Sequence, residues 1–171
     1  DERVGQSAVE GGVDLSAACD IRYCSADAFF VVQEINIGMT ADVGTFPRLC
    51  QLIPQGWVRE LAYTGRHLPA DQALKIGLVN AVLPDHEALV AHALATAKEI
   101  AQKSPLAVHG SKVMINHARD HSIADGLDHI ALWQAGMYNP ETDMREAMEA
   151  RAQKRATNFQ DLLPVRKGLG G

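Results

Sequence analysis

Three carboxylates, Asp14, Glu34 and Asp42, fall within residues 11–45, GGVDLSAACDIRYCSADAFFVVQEINIGMTADVGT. Each stands at the end of an apolar run, near a Gly-rich turn. Carboxylates gathered in an apolar pocket are harder to ionise, through desolvation and mutual repulsion. That tunes such groups for general acid and base work near neutral pH. Each acid also has a plainer reading. Asp14 would place a favourable charge in the first turn of a helix. Glu34 would face solvent where a strand leaves its sheet. Asp42 would be the N-cap of a helix through VGTFPRL, with Pro47 tolerated near its start. Spacing alone does not make the three converge.

Gly11 and Gly12 precede VDLSAA and read as a tight turn into a helix N-terminus. Such a turn aims free backbone N–H groups outward, which suits a developing oxyanion. A plain turn is the alternative. His117 and His121 are four apart, but Ser122 reads as a cap, so a helix end falls beside them. With no third ligand indicated, surface histidines are the simpler reading than a zinc site. Cys19 and Cys24 flank a strand and read as core residues. Neither GxSxG nor a P-loop occurs, so a serine nucleophile has no support.

The elements that must position these residues follow from pattern. The chain has 171 residues, 47% apolar and 22% charged, which suffices for a hydrophobic core and excludes a disordered chain. A net charge of −5 without a basic stripe speaks against nucleic acid as partner. Apolar runs such as 28–32 are far too short to span a membrane. The polar start DERVGQ does not read as a targeting peptide. Three cysteines without a CxxC pair suggest a reduced intracellular protein. Strands are expected at 21–24, 28–32 and 78–83. A helix starts near Pro69 and stops at Gly77. From Asp85 the chain reads as helical. Leu89, Ala93, Ala97 and Ile100 share one helix face. Ser104 and Pro105 open a second helix, Ser122 with Asp125 a third, and Asn139 with Pro140 a last one to about Arg155. Strands first and helices later make an α/β or α+β layer fold.

The run from Gly11 to PRL at 47–49 resembles the signature region of the enoyl-CoA hydratase/isomerase (crotonase) superfamily. Within it, the 3,5-dienoyl-CoA to 2,4-dienoyl-CoA isomerases are most similar. The resemblance continues through ELAYTGRHLPADQALKIGLVNAVLP and KSPLAVHGSKVMINHARDHSIADGL. It implies an α/β fold: the C-terminal part of a crotonase-like ββα spiral at 1–84, then a helical trimerisation region at 85–171. It implies that Gly11 supplies one oxyanion-hole N–H to a thioester carbonyl. Asp14 and Glu34 match the first and second acidic positions of the superfamily. Asp42 matches the third acid that marks dienoyl-CoA isomerases. Glu34 and Asp42 would shuttle the proton, with Asp14 as the supporting acid.

The implied substrate is an acyl-CoA thioester of fatty-acid beta-oxidation, with coenzyme A part of the substrate and no metal or redox cofactor. The implied assembly is a homotrimer or homohexamer, with no nucleic-acid or membrane partner. A bacterial cytoplasm is the expected compartment, a mitochondrial or peroxisomal matrix the alternative. Glu10 stands where the family has the first of three glycines, and residues 1–9 do not resemble the strand before them. The expectation is therefore a chain without the first half of the spiral and its second oxyanion donor. Enoyl-CoA hydration, or an inactive fragment that folds only on assembly, are the competing expectations.

Overall fold

A computed structural model describes residues 12–138 and 143–162. They divide into two compact units, one ending at Leu94 and the other beginning at Ala95. In the first unit, helix α1 (Gly12–Ala18) is followed by strands β1 (Tyr23–Ser25) and β2 (Phe29–Phe30). A 3-10 helix (Glu34–Ile37) leads to α2 (Thr45–Leu52) and α3 (Gln55–Thr64). Strand β3 (Leu68–Pro69), α4 (Ala70–Lys75) and β4 (Ala81–Leu83) complete the unit, with the start of α5 (His86–Ala101).

The sheets are small. β1 runs parallel to β4, with Cys24 opposite Val82, and β2 runs antiparallel to β3, with Phe30 opposite Leu68. A parallel pair needs a crossover, and α2 to α4 lie within it. The core gathers Val13 and Ala17 of α1, Leu49 of α2, Val58 and Leu61 of α3 and Ala73 of α4 around Cys24 and Phe30. Arg22 ties α1 to this core: its Nε donates to the Leu78 carbonyl at 2.6 Å and its Nη1 to that of Cys19 at 2.6 Å. Burial makes the Arg22 guanidinium easier to deprotonate, while Cys19 and Asp20 oppose that effect.

Several expected elements are shorter or shifted. The expected strands 21–24, 28–32 and 78–83 reduce to Tyr23–Ser25, Phe29–Phe30 and Ala81–Leu83. The trimmed residues Val31, Val32, Leu78 and Val79 are buried nevertheless. Their apolar character marks the core and not a ladder. Cys24 is buried in β1, but Cys19 is exposed at the end of α1 and is not a core residue. The plainer reading of Asp42 also fails. The N-cap of α2 is Gly44, at φ 96° and ψ 20°, with no side-chain cap bond. A left-handed backbone there suits glycine, and a Cβ would collide with the Arg48 guanidinium.

From Asp85 onward the described helix caps fall where the sequence puts them. Ser104 accepts from the Ala107 N–H at 3.0 Å ahead of α6 (Pro105–His117). Ser122 and Asp125 form a reciprocal capping box on α7 (Ile123–Met137). The Asp85 carboxylate likewise accepts from the Ala88 N–H at 2.8 Å, at the start of α5. The last helix, α8, is Asp143–Gln153. Its expected opening pair, Asn139 and Pro140, lies outside the described residues, as does the C-terminal GLGG.

Candidate active site

Asp14 sits in the first turn of α1, which a negative charge favours. It is not a surface acid: only 7% of it is exposed. A carboxylate taken out of water needs donors, and the Thr45 hydroxyl donates to Asp14 Oδ1. Thr45 is the first residue of α2 and is 1% exposed. The pairing spans 31 residues and joins the starts of two helices that pack together.

Glu34 opens the 3-10 helix, half-buried, four residues beyond the end of β2. That turn is anchored from the side. Asn36 Nδ2 donates to the Gly65 carbonyl at 3.0 Å. Gly65 caps α3 at φ 58°, and a Cβ there would collide with the Asn36 amide. Glycine at this position therefore lets the turn carrying Glu34 approach the end of α3.

These residues meet in one cleft, lined by Val13, Asp14, Val31, Val32, Gln33, Glu34 and Thr45. Two acids thus share a pocket walled on part of its surface by three valines, one acid buried and hydrogen-bonded, the other half open to solvent. Asp42 is exposed and not part of that lining. It precedes Thr45 by three residues, which limits its separation to about 10 Å of chain. Gly11 lies outside the described residues, and α1 begins at its neighbour Gly12.

Thr45 is the functional candidate that the sequence did not single out. A hydroxyl at a helix start reads as a cap, and nothing local signals a partner 31 residues away. Gln33 and the three valines of the lining were equally unmarked. The histidines form a different feature. His117 stacks on His121 at 3.7 Å and on His129 at 4.2 Å. Burial, with His121 and His129 nearby, makes the His117 ring harder to protonate, whereas the His117 carbonyl raises His121. Stacked rings do not converge their nitrogens on a point. Among the described residues no group of three or more His, Cys, Asp or Glu is arranged to hold a metal ion.

The family model for enoyl-CoA hydratase/isomerase matches residues 4–162. The chain belongs to the enoyl-CoA hydratase/isomerase family. Among relatives of this family, the mitochondrial Delta(3,5)-Delta(2,4)-dienoyl-CoA isomerase of Pongo abelii is 48% identical over 85% of this chain and 45% of its own length. The peroxisomal enzyme of the same name from Arabidopsis thaliana is 40% identical over 90% of this chain and 55% of its own. The crystal structure of an enoyl-CoA hydratase from Mycobacterium tuberculosis superposes with a TM-score of 0.82 at 32% identity, covering 88% of this chain and 59% of that one. The chain thus spans about half the length of the curated relatives it matches. Its fold is the α/β crotonase fold of the enoyl-CoA hydratase/isomerase family.

Proposed function

We propose that this chain carries the acidic site of a dienoyl-CoA isomerase, which shifts the double bonds of a 3,5-dienoyl-CoA to the 2,4 positions during fatty-acid beta-oxidation. The observation that carries the reading is the common cleft of Asp14 and Glu34. The named isomerase relatives support the same reaction. A proton leaves the carbon beside the thioester carbonyl, and its electron pair spreads over the conjugated system onto the carbonyl oxygen. A backbone N–H such as that of Gly11 stabilises the resulting extended enolate. A new C–H bond then forms at the far end of the conjugated system. Glu34 and Asp42 are the proposed pair that takes and returns the proton. Asp14 is the supporting acid, held by Thr45. The chemistry needs no group beyond the carboxylates and the oxyanion donors, and coenzyme A enters as part of the substrate.

The helices from Asp85 onward are proposed to pack and oligomerise, as a homotrimer or homohexamer. Apolar residues on α7, such as Ile123 and Leu132, are 85% and 76% exposed and support that role. The compartments named for the two isomerase relatives favour an organelle matrix over a bacterial cytoplasm.

The test is spectrophotometric conversion of a 3,5-dienoyl-CoA to its longer conjugated 2,4 product. The expected outcome is turnover that Asp42→Asn abolishes. No absorbance change at saturating substrate sinks the reading. Hydration that survives in Asp42→Asn favours an enoyl-CoA hydratase, the second reading supported by the hydratase structure.

A further inference from the structure

We infer that Thr45 is a positioning residue for the isomerisation: its hydroxyl fixes the orientation of the Asp14 carboxylate in the cleft. The inference rests on the proposed isomerase reading, and three observations carry it. First, the Thr45 hydroxyl donates across to α1, to Asp14 Oδ1, although it stands at the start of α2. The α2 N-cap is Gly44, which has no side chain to offer, and the hydroxyl of the next residue is directed at the acid on α1. Second, both partners are buried, Thr45 at 1% and Asp14 at 7% exposure. A hydrogen bond between buried groups is stronger than one in water, and removing the hydroxyl takes a donor from the Asp14 carboxyl. Third, Thr45 and Asp14 line the same cleft as Glu34.

Threonine is suited to this task. Its two heavy atoms on Cβ restrict χ1, so the hydroxyl has few directions to choose from. The residue before it, Gly44, is left-handed, and Arg48 Nη1 donates to the Gly44 carbonyl at 3.2 Å. The start of α2 is therefore held by the Arg48 side chain of its own first turn, and Thr45 extends that order to the acid. Asp14 has its charge at a helix N-terminus and its orientation from a neighbouring helix.

The full chain is compared with Thr45→Val, which keeps the branched shape but loses the hydroxyl, and with Thr45→Ser, which keeps the hydroxyl. On a 3,5-dienoyl-CoA, Thr45→Val is expected to lose about 10- to 100-fold in kcat with KM changed less than about twofold, and Thr45→Ser to recover most of it. A change confined to KM, or a serine variant no better than the valine one, overturns the inference. Crystal structures of the three proteins decide it independently of turnover. The Asp14 carboxylate is expected to rotate in Thr45→Val and to stay in place in Thr45→Ser. An unmoved carboxylate in Thr45→Val overturns the positioning role, whatever the activity. Should Thr45→Val not fold, Thr45→Ala takes its place with the same two readouts. A wild-type chain inactive on the dienoyl-CoA defeats the isomerase reading alone, because the crystallographic comparison still judges Thr45.

Discussion

Glu34 and Asp14 share a cleft but differ in what surrounds them. Asp14 is buried against a hydroxyl donor, whereas Glu34 is half open at the start of a short turn. A group that exchanges protons with substrate needs access, and Glu34 has it. Glu34→Gln keeps the shape and removes the titrating oxygen. It is expected to lower kcat by roughly 10²- to 10⁴-fold, the range for a general acid or base, with KM little changed. Steady-state kinetics on the dienoyl-CoA would show this, and wild-type kcat in Glu34→Gln would remove it from the proton path. At this scale residue type was legible and environment was not. The sequence marks Asp14 as an acid near a helix start. It cannot show that α2 folds back to bury that acid, because the Thr45 contact is set by tertiary packing.

Helices were more legible than strands, for a physical reason. A helix end is satisfied locally, so Asp85, Ser104 and Ser122 announce α5, α6 and α7 through bonds to residues three ahead. A strand is paired by a distant segment. The apolar run 28–32 therefore could not reveal that β3 pairs with just Phe29 and Phe30. The segment just past α8 folds back on Glu146 in that helix's first turn, a contact that also sets a pH dependence. Arg155 donates from Nη1 and Nη2 to the two Glu146 oxygens at 2.6 and 2.8 Å, and the Asn158 N–H adds 2.6 Å. These bonds, Arg155 foremost, lower the Glu146 pKa from 4.5 to about 2. The folded carboxyl is thus the stronger acid. Its contribution is fully present above pH 4.5 and is lost as pH falls towards about 2. Thermal melts of wild type and Glu146→Gln should differ at pH 7 and converge near the lower limit. A gap that persists unchanged in acid would refute the pairing as its cause.

The two units differ in how they bury apolar surface. The first has a continuous core from Val13 to Val79. In the second, the buried residues among those described are Gly110 and Ala150. Gly110 is there because Trp133 covers it: a Cβ would come within 2.6 Å of the indole nitrogen. Meanwhile Ile115, Ile123, Leu127 and Leu132 are each more than 60% exposed. Apolar surface of that extent marks an interaction face more often than a free one. Burial between copies would make stability depend on concentration, because association favours the folded form by mass action. A hundredfold rise in chain concentration should then add about 2.7 kcal/mol, or roughly 5–10 °C in Tm. Leu132→Asp should remove that dependence, since a charge at the contact would be desolvated on assembly. Residue 132 is exposed within the chain itself, so the substitution leaves the α6–α7 contact at Gly110 and Trp133 in place. A Tm independent of concentration in the wild-type chain would instead mean that these faces are covered by something other than a second copy.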